Sequence, residues 1–270
     1  MTVTIHNDIE QGTPEWHALR RGIVTASVVG KLLSTEQPSA VVVDCPRCKA
    51  TAGSPCLSLA KKTPTPITTW HPERGQEAST LPSEVVVADN ETSRGLVATL
   101  VAERITGRTE PTIITEDMAR GNMLEPVARD WYSEHHAPAT ELGFMLLTAK
   151  WGTLGYSPDG LVGDDGLIEI KAPRARGHLR TILADEVPAH HMAQCQAGLL
   201  VTGRQWLDFI SYVAGMPVFV KRVLPDPAWH AAIRSAIEGF ENAATDLTTD
   251  YFTRVDGLPV AERIDFLEAM

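Results

Sequence analysis

Ser157-Pro158-Asp159-Gly160-Leu161, followed by Leu167-Ile168-Glu169-Ile170-Lys171, decides how this chain is read. Asp159 stands just before the short apolar pair Leu161-Val162. Gly163-Asp164-Asp165-Gly166 then reads as a hairpin turn, because Asp-Gly is the strongest short signal for one. Leu167 to Ile170 resumes as a strand. Side chains alternate along a strand, so Glu169 and Lys171 share one face while Ile168 and Ile170 share the other. The hairpin returns Asp159 beside Glu169. Two carboxylates and a lysine therefore lie where one metal ion could meet them all.

Working outward, the order of elements predicts a mixed α/β chain. Thr13-Pro14-Glu15 starts a helix with a capping residue, a proline at the first helical position and an acid. Trp16, Leu19 and Ile23 follow at helical spacing, and Gly22 is expected to end the helix. Thr25 or Ser27 caps a second helix running to about Leu33. Helices are also predicted over residues 92–105, 116–135, 188–201 and 228–247. Strands are predicted over residues 142–147, 153–156, 206–213 and 217–223. Pro259 to Met270 reads as a short amphipathic segment. Residues 36–83 break the pattern and read as an inserted module between core segments 1–35 and 84–270. The 270 residues suffice for such an organisation.

The net charge of −10 argues weakly against a nucleic-acid partner. Its distribution weakens the objection. Residues 231–270 carry eight acids against three arginines, whereas Lys171, Arg174, Arg176 and Arg180 form a basic strip without an acid. That strip reads either as a DNA-facing surface or as a solvated loop. No apolar run approaches the roughly 20 residues that span a bilayer. Met1 to Gln11 is polar and mixed, unlike a signal peptide. A cytoplasmic location is expected, that of the host cell if the chain is phage-encoded.

Hydrolysis of a phosphodiester requires charge neutralisation and an activated water. A hard divalent cation on oxygen ligands, Mg²⁺ or Mn²⁺, supplies the first and lowers the pKa of the second. Lys171 is placed to hold or deprotonate the water, given that a lysine pKa falls readily on burial or beside a metal.

Within the insertion, Cys45-Pro46-Arg47-Cys48 forms a tight knuckle, with Cys56 and then His71 in Trp70-His71-Pro72-Glu73-Arg74. Three cysteines and a histidine make a closed structural Zn²⁺ site. Asp44 is the alternative fourth ligand. The segment is proline-rich and poor in large apolar residues, so metal binding would supply its stability. Lys49, Lys61, Lys62 and Arg74 read either as contacts for DNA or a partner or as passive surface.

The Asp159–turn–Glu169-Ile170-Lys171 pattern resembles the PD-(D/E)xK nuclease superfamily. Three ordered stretches narrow the resemblance to the phage lambda exonuclease, or YqaJ-like viral recombinase, family. They are Glu10-Gln11-Gly12 with Glu15-Trp16-His17-Ala18-Leu19-Arg20-Arg21-Gly22-Ile23-Val24-Thr25-Ala26-Ser27; Arg120-Gly121-Asn122-Met123-Leu124-Glu125; and Met192-Ala193-Gln194-Cys195-Gln196. The resemblance implies a restriction-endonuclease-like core, a central mixed sheet flanked by helices. It also implies roles. Glu125 would be the helix-borne acid of a second metal position, although it could equally pair with Arg129 one turn on. Asp159, Glu169 and the Ile170 carbonyl would bind Mg²⁺, Lys171 would activate water, and Gln194 would complete the site. Arg20 and Ser27 would grip a 5′-phosphate, where the plainer readings are a solvated arginine and a helix cap. Trp16 reads as core packing. Cys195 stands at an expected apolar position, and His190 and His191 are not read as metal ligands.

The implied activity is a Mg²⁺-dependent 5′-to-3′ exonuclease that degrades one strand of linear duplex DNA, leaving 3′ overhangs for phage-type recombination. The implied assembly is a homotrimeric ring around DNA, working with a single-strand annealing protein. Two alternatives stand beside it: a Cas4-like nuclease with an iron–sulfur cluster, and a non-catalytic, zinc-dependent DNA-end-binding protein.

Overall fold

The computed structural model describes residues 1–60, 63–109 and 115–262. Lys61, Lys62 and most of the predicted segment Pro259 to Met270 lie outside the described residues.

Strand β1, Thr2–His6, precedes helix α1, Pro14–Arg20. The Thr13 side chain accepts the Trp16 amide and caps α1 as the sequence predicts. Strand β2 is Val24–Thr25, and α2 is a single turn, Ala26–Val29, continued by a 3₁₀ turn over Gly30–Leu32. Strand β3 is Leu33–Glu36, α3 is Pro72–Ala78 and β4 is Glu84–Val87. Helix α4, Glu91–Thr106, opens on a reciprocal cap between Asn90 and Ser93. Helix α5 covers Glu116–His135. The strands β5 (Ala139–Thr140), β6 (Phe144–Ala149), β7 (Gly152–Tyr156), β8 (Gly160–Val162) and β9 (Gly166–Lys171) follow in close succession. Helices α6 (Ala175–Ala184) and α7 (Ala189–Thr202), strands β10 (Trp206–Ser211) and β11 (Phe219–Val223), and helix α8 (Pro227–Arg254) complete the chain.

The strands form two mixed sheets flanked by helices, plus a two-stranded ribbon. The sheet orders are β1-β6-β7-β2 and β11-β10-β9-β8-β5, and β3 pairs with β4 in the ribbon. The chain passes from the first sheet to the second between β7 and β8, at Ser157-Pro158-Asp159. Proline has no N–H to donate to a ladder, so it suits a strand end.

Helix α7 lies against β6, β7, β9, β10, α2 and α8. It buries Ala193, Cys195, Ala197, Leu199 and Val201 in the main core, with Leu154, Leu167, Leu207, Phe209 and Ile237. Gly198 allows this approach: a Cβ there would lie 2.7 Å from the Tyr156 ring. On the other side of the second sheet, Ile168 and Ile170 pack with Ala128 and Tyr132 of α5. The alternation read from the sequence thus separates two cores on opposite faces of β9.

Several elements differ from expectation: the second helix, expected to reach about Leu33, is a single turn with a 3₁₀ extension, and β3, α3, β4 and β5 were not predicted. The edge strand β1 was not among the predicted strands, because four of its five residues are exposed and it shows no buried face. Helix α6 forms where a basic strip was expected. Its buried residues are His178 and Thr181, which are not apolar signals. Helix α8 continues to Arg254, beyond the predicted end at Leu247, with a solvated last turn held by Arg254 and Asp250.

Candidate active site

Asp159 sits at the crossover into the second sheet, one position before Gly160, which pairs with Ile168 in the β8–β9 ladder. It is 9 % exposed, and its Oδ2 accepts the Ile170 amide at 2.6 Å. Burial first, and then the charge of Glu169, push its carboxyl well above the usual range. Glu169 is fully buried. Its Oε1 accepts Lys171 Nζ at 2.6 Å and also the Gln194 amide, while its Oε2 accepts the Tyr156 hydroxyl at 3.3 Å. Lys171 and Gln194 therefore stand between Glu169 and the solvent.

Burial alone would lower the Lys171 pKa, but Glu169 and Asp159 outweigh it and the net shift is upward. This reverses the fall expected from burial. Two buried carboxylates beside one ammonium hold it protonated.

Glu125 projects from α5 and pairs with Arg129 at 2.8 Å. The ion pair and the site are not alternatives here, since Arg129 Nε also donates to the Asp159 carbonyl at 2.6 Å and its guanidinium meets Glu141. Arg129 ties the helix-borne acid to the crossover. Burial raises the Glu125 pKa, Arg129 opposes the rise, and the Glu169 charge adds to it.

Arg20 lies with its guanidinium 3.9 Å from the Trp16 ring. Its hydrogen bonds go to the hydroxyls of Ser27 (3.1 Å) and Thr25 (3.4 Å). Burial lowers its pKa to about 10, against an opposing Glu103 charge. A partly desolvated arginine bonded to neutral groups is suited to an anion. Trp16, expected in the core, is half-buried and donates Nε1–H to Ser157 at 3.0 Å, beside Asp159. It braces Arg20 against the crossover. Ser27 is not a cap: the cap position of α2 is Thr25, and no side chain closes that turn.

These residues converge. Arg20, Ser27, Glu125, Asp159, Ile170, Lys171 and Gln194 line one cavity of about 640 Å³, together with Trp16, Asp117, Arg120, Tyr156 and Arg174. A smaller cavity of about 340 Å³ adjoins Lys171, Gln194 and Ser27, lined also by His190 and His191. Tyr156 and Asp117 were not singled out from the sequence, while Arg120 entered only as a motif residue and Arg129 only as the ion-pair partner of Glu125. Tyr156 ends the strand that delivers Asp159, which was the one available signal for it.

The donor set suits a hard cation. Asp159 and Glu125 present oxygens to the cavity, and burial raises both carboxyl pKa values despite Lys171, the Ile170 amide and Arg129, a cost that a cation's charge would relieve further.

In the segment between β3 and β4, the ligand atoms of Cys45, Cys48, Cys56 and His71 all lie within 4.8 Å of one another. Cys45 Sγ is 3.4 Å from His71 Nδ1. That clustering fits a tetrahedral ion with bonds of about 2.0–2.3 Å. Asp44 instead accepts the Ala52 amide at 2.8 Å and is exposed, so His71 is the fourth member. Arg74, read as a possible DNA contact, is fully buried. It donates to the carbonyls of Val43, Ser54 and Thr51 at 2.8, 2.8 and 3.0 Å, and it holds the module's loops together. Lys49 stays exposed. Cys195 is buried in α7 and lies outside this cluster.

The model of the YqaJ-like viral recombinase domain matches residues 68–205. A phage zinc finger domain model, described as DNA-binding, matches residues 10–89. No curated protein matches the chain. Among solved structures, the alkaline exonuclease LHK-Exo from Laribacter hongkongensis is 27 % identical, with a TM-score of 0.66 over 92 % of this chain and 100 % of that one. Its complex with dAMP matches at 28 % identity and a TM-score of 0.64, with the same coverage. The first model spans the helix, the hairpin and the α7 turn that build the cavity, so this chain belongs to the YqaJ-like viral recombinase family and carries a phage zinc-binding module.

Proposed function

We propose that this protein is a Mg²⁺-dependent 5′-to-3′ exonuclease of the PD-(D/E)xK type that degrades one strand of linear duplex DNA and leaves 3′ overhangs. The observation that carries this reading is the convergence of Glu125, Asp159, Lys171 and Gln194 with Arg20 and Ser27 in one cavity. The likeness to LHK-Exo, an alkaline exonuclease, supports it.

Asp159, Glu169 and the Ile170 carbonyl would hold Mg²⁺ or Mn²⁺, with Glu125 serving a second ion. The bound cation would supply charge for the phosphate and a more acidic water. The chain's own residues do the rest. Arg20 and Ser27 grip the terminal 5′-phosphate and so set polarity. Lys171, kept protonated by its carboxylates, orients the attacking water and offsets charge on the phosphate rather than taking the proton. Gln194 and Tyr156 fix the Glu169 carboxylate. Arg129 fixes the crossover that presents Asp159.

In the same reading, the protein encloses DNA as a homotrimeric ring in the cytoplasm and hands its product to a single-strand annealing protein. The exposed Arg176 and Arg180 of α6 face the DNA channel, and the acids of α8 face outward. Enclosure explains how a chain of net charge −10 stays on DNA. Cys45, Cys48, Cys56 and His71 would hold a structural Zn²⁺. A Cas4-like reading lacks its four-cysteine set among the described residues, because Cys195 lies apart. Among the described residues no helix is long and apolar enough to cross a membrane.

The test is digestion of linear duplex DNA, with and without a 5′-phosphate, in Mg²⁺ or in chelator. Mononucleotide release that needs both the phosphate and the metal is expected. Release from 3′ ends, or equal release in chelator, overturns the reading.

A further inference from the structure

Two arginines on the cavity rim converge on one oxygen atom. Arg120 Nη1 donates to Asp117 Oδ1 at 2.8 Å, and Arg174 Nε donates to the same oxygen at 2.9 Å. All three residues line the cavity that holds Glu125, Asp159 and Lys171. Arg120 is anchored from behind. Its Nε and Nη2 both donate to the Ala172 carbonyl at 3.3 Å, which leaves one edge of the guanidinium for an anion. Arg174 is 68 % exposed and occupies the cap position of α6 without capping it.

We propose that Arg120 and Arg174 form a clamp for a DNA backbone phosphate, held shut by Asp117 until a strand displaces that carboxylate. The inference rests on the nuclease reading above and names a subsite for it.

Three physical points carry it. An exposed ion pair of this kind contributes little to stability, so the clamp opens at little cost. A backbone phosphodiester carries two charged oxygens, one for each guanidinium, whereas both arginines now share a single oxygen of Asp117. Arg120 and Glu125 are five residues apart on α5, roughly 7.5 Å along its axis. A phosphate in the clamp is therefore a neighbour of the one above the carboxylates, not the same one. Asp117 serves as the internal competitor because both arginines lower its pKa and keep it charged. When a strand enters, Asp117 also becomes a like charge beside it, which favours release of the strand and movement to the next phosphate.

The test uses the full chain and a 5′-phosphorylated hairpin duplex, without added divalent cation so that the DNA stays intact. Fluorescence anisotropy is followed from low to physiological salt. Asp117→Ala is expected to bind about 3- to 10-fold tighter at low salt, with a log–log salt slope steeper by roughly one unit. Arg174→Gln is expected to bind more weakly by a similar factor, with a shallower slope. In the Arg174→Gln background, the gain from Asp117→Ala shrinks below about 2-fold, as expected for coupled residues. Asp117→Asn repeats the test if the alanine variant loses helix. Equal or weaker binding by both Asp117 variants, while wild type binds and digests DNA, overturns the clamp and leaves the nuclease reading intact. Wild type that neither binds nor digests DNA overturns both.

Discussion

Lys171 and Gln194 both donate to a single oxygen of Glu169, a carboxylate with no solvent exposure of its own. One residue comes from the strand and the other from α7, so Lys171 is positioned by tertiary packing as much as by the Glu-x-Lys spacing. Lys171→Ala is expected to reduce digestion by about 10²- to 10⁴-fold while DNA binding persists. A single-turnover assay on 5′-phosphorylated duplex checks this, and activity equal to wild type would refute the assigned role.

Mg²⁺ is expected to raise the thermal midpoint, because its charge relieves the buried acids. At a concentration 100 times its dissociation constant the gain is about 2.7 kcal/mol. Asp159→Asn should lose most of this response. A melting titration with the metal reads it without reference to activity.

Gly198→Ala is expected to disturb the site from behind. The added Cβ meets the Tyr156 ring, whose hydroxyl reaches Glu169. Overpacking of this kind costs about 1–3 kcal/mol. A lowered turnover with the fold retained by circular dichroism is the expected result. A variant that melts and digests like wild type would show that the contact has no consequence.

Arg74→Met is expected to loosen the zinc module. It removes a buried side chain that satisfies several loop carbonyls, each costing about 1–3 kcal/mol when left unpaired. Zinc content after dialysis against a mild chelator should fall below that of wild type. Retention of full zinc occupancy would contradict the bracing role.

His191 introduces an acid sensitivity. Burial, then Lys171 and His190, depress its pKa from 6.5 to about 3. Folding therefore favours the neutral ring. Above about pH 6.5 the residue costs nothing; below it the unfolded chain takes up a proton that the folded chain refuses, and stability declines towards about pH 3. Allowing for partial exposure, the loss between pH 7 and pH 5 is about 1–2 kcal/mol. His191→Phe should flatten the denaturant midpoint over that interval.

The hairpin, helices α1, α4, α5 and α7, and the Cys₃His cluster were legible because each carries a local signal: a turn dipeptide, a cap, a period or a ligand spacing. The convergence of Arg20 and Ser27 on the carboxylates was legible only through resemblance. Trp16 was misread since helical spacing alone does not distinguish a core indole from one that braces an arginine. Arg74 was misread because a charged residue near a zinc knuckle reads as surface until its carbonyl partners are known. Asp117 stayed hidden because its partner Arg174 lies 57 residues away in sequence, and the second role of Arg129 stayed hidden because the Asp159 carbonyl lies 30 residues away.

The β3–β4 ribbon has a consequence for how this protein can change. Glu36 and Glu84 are register partners, so the chain leaves and re-enters the core across one strand pair, a gap of about 5 Å. A two-residue turn could bridge that gap. The zinc-bearing stretch is then expected to behave as a cassette, replaceable by a short turn without re-threading the strands that hold Asp159 and Glu169.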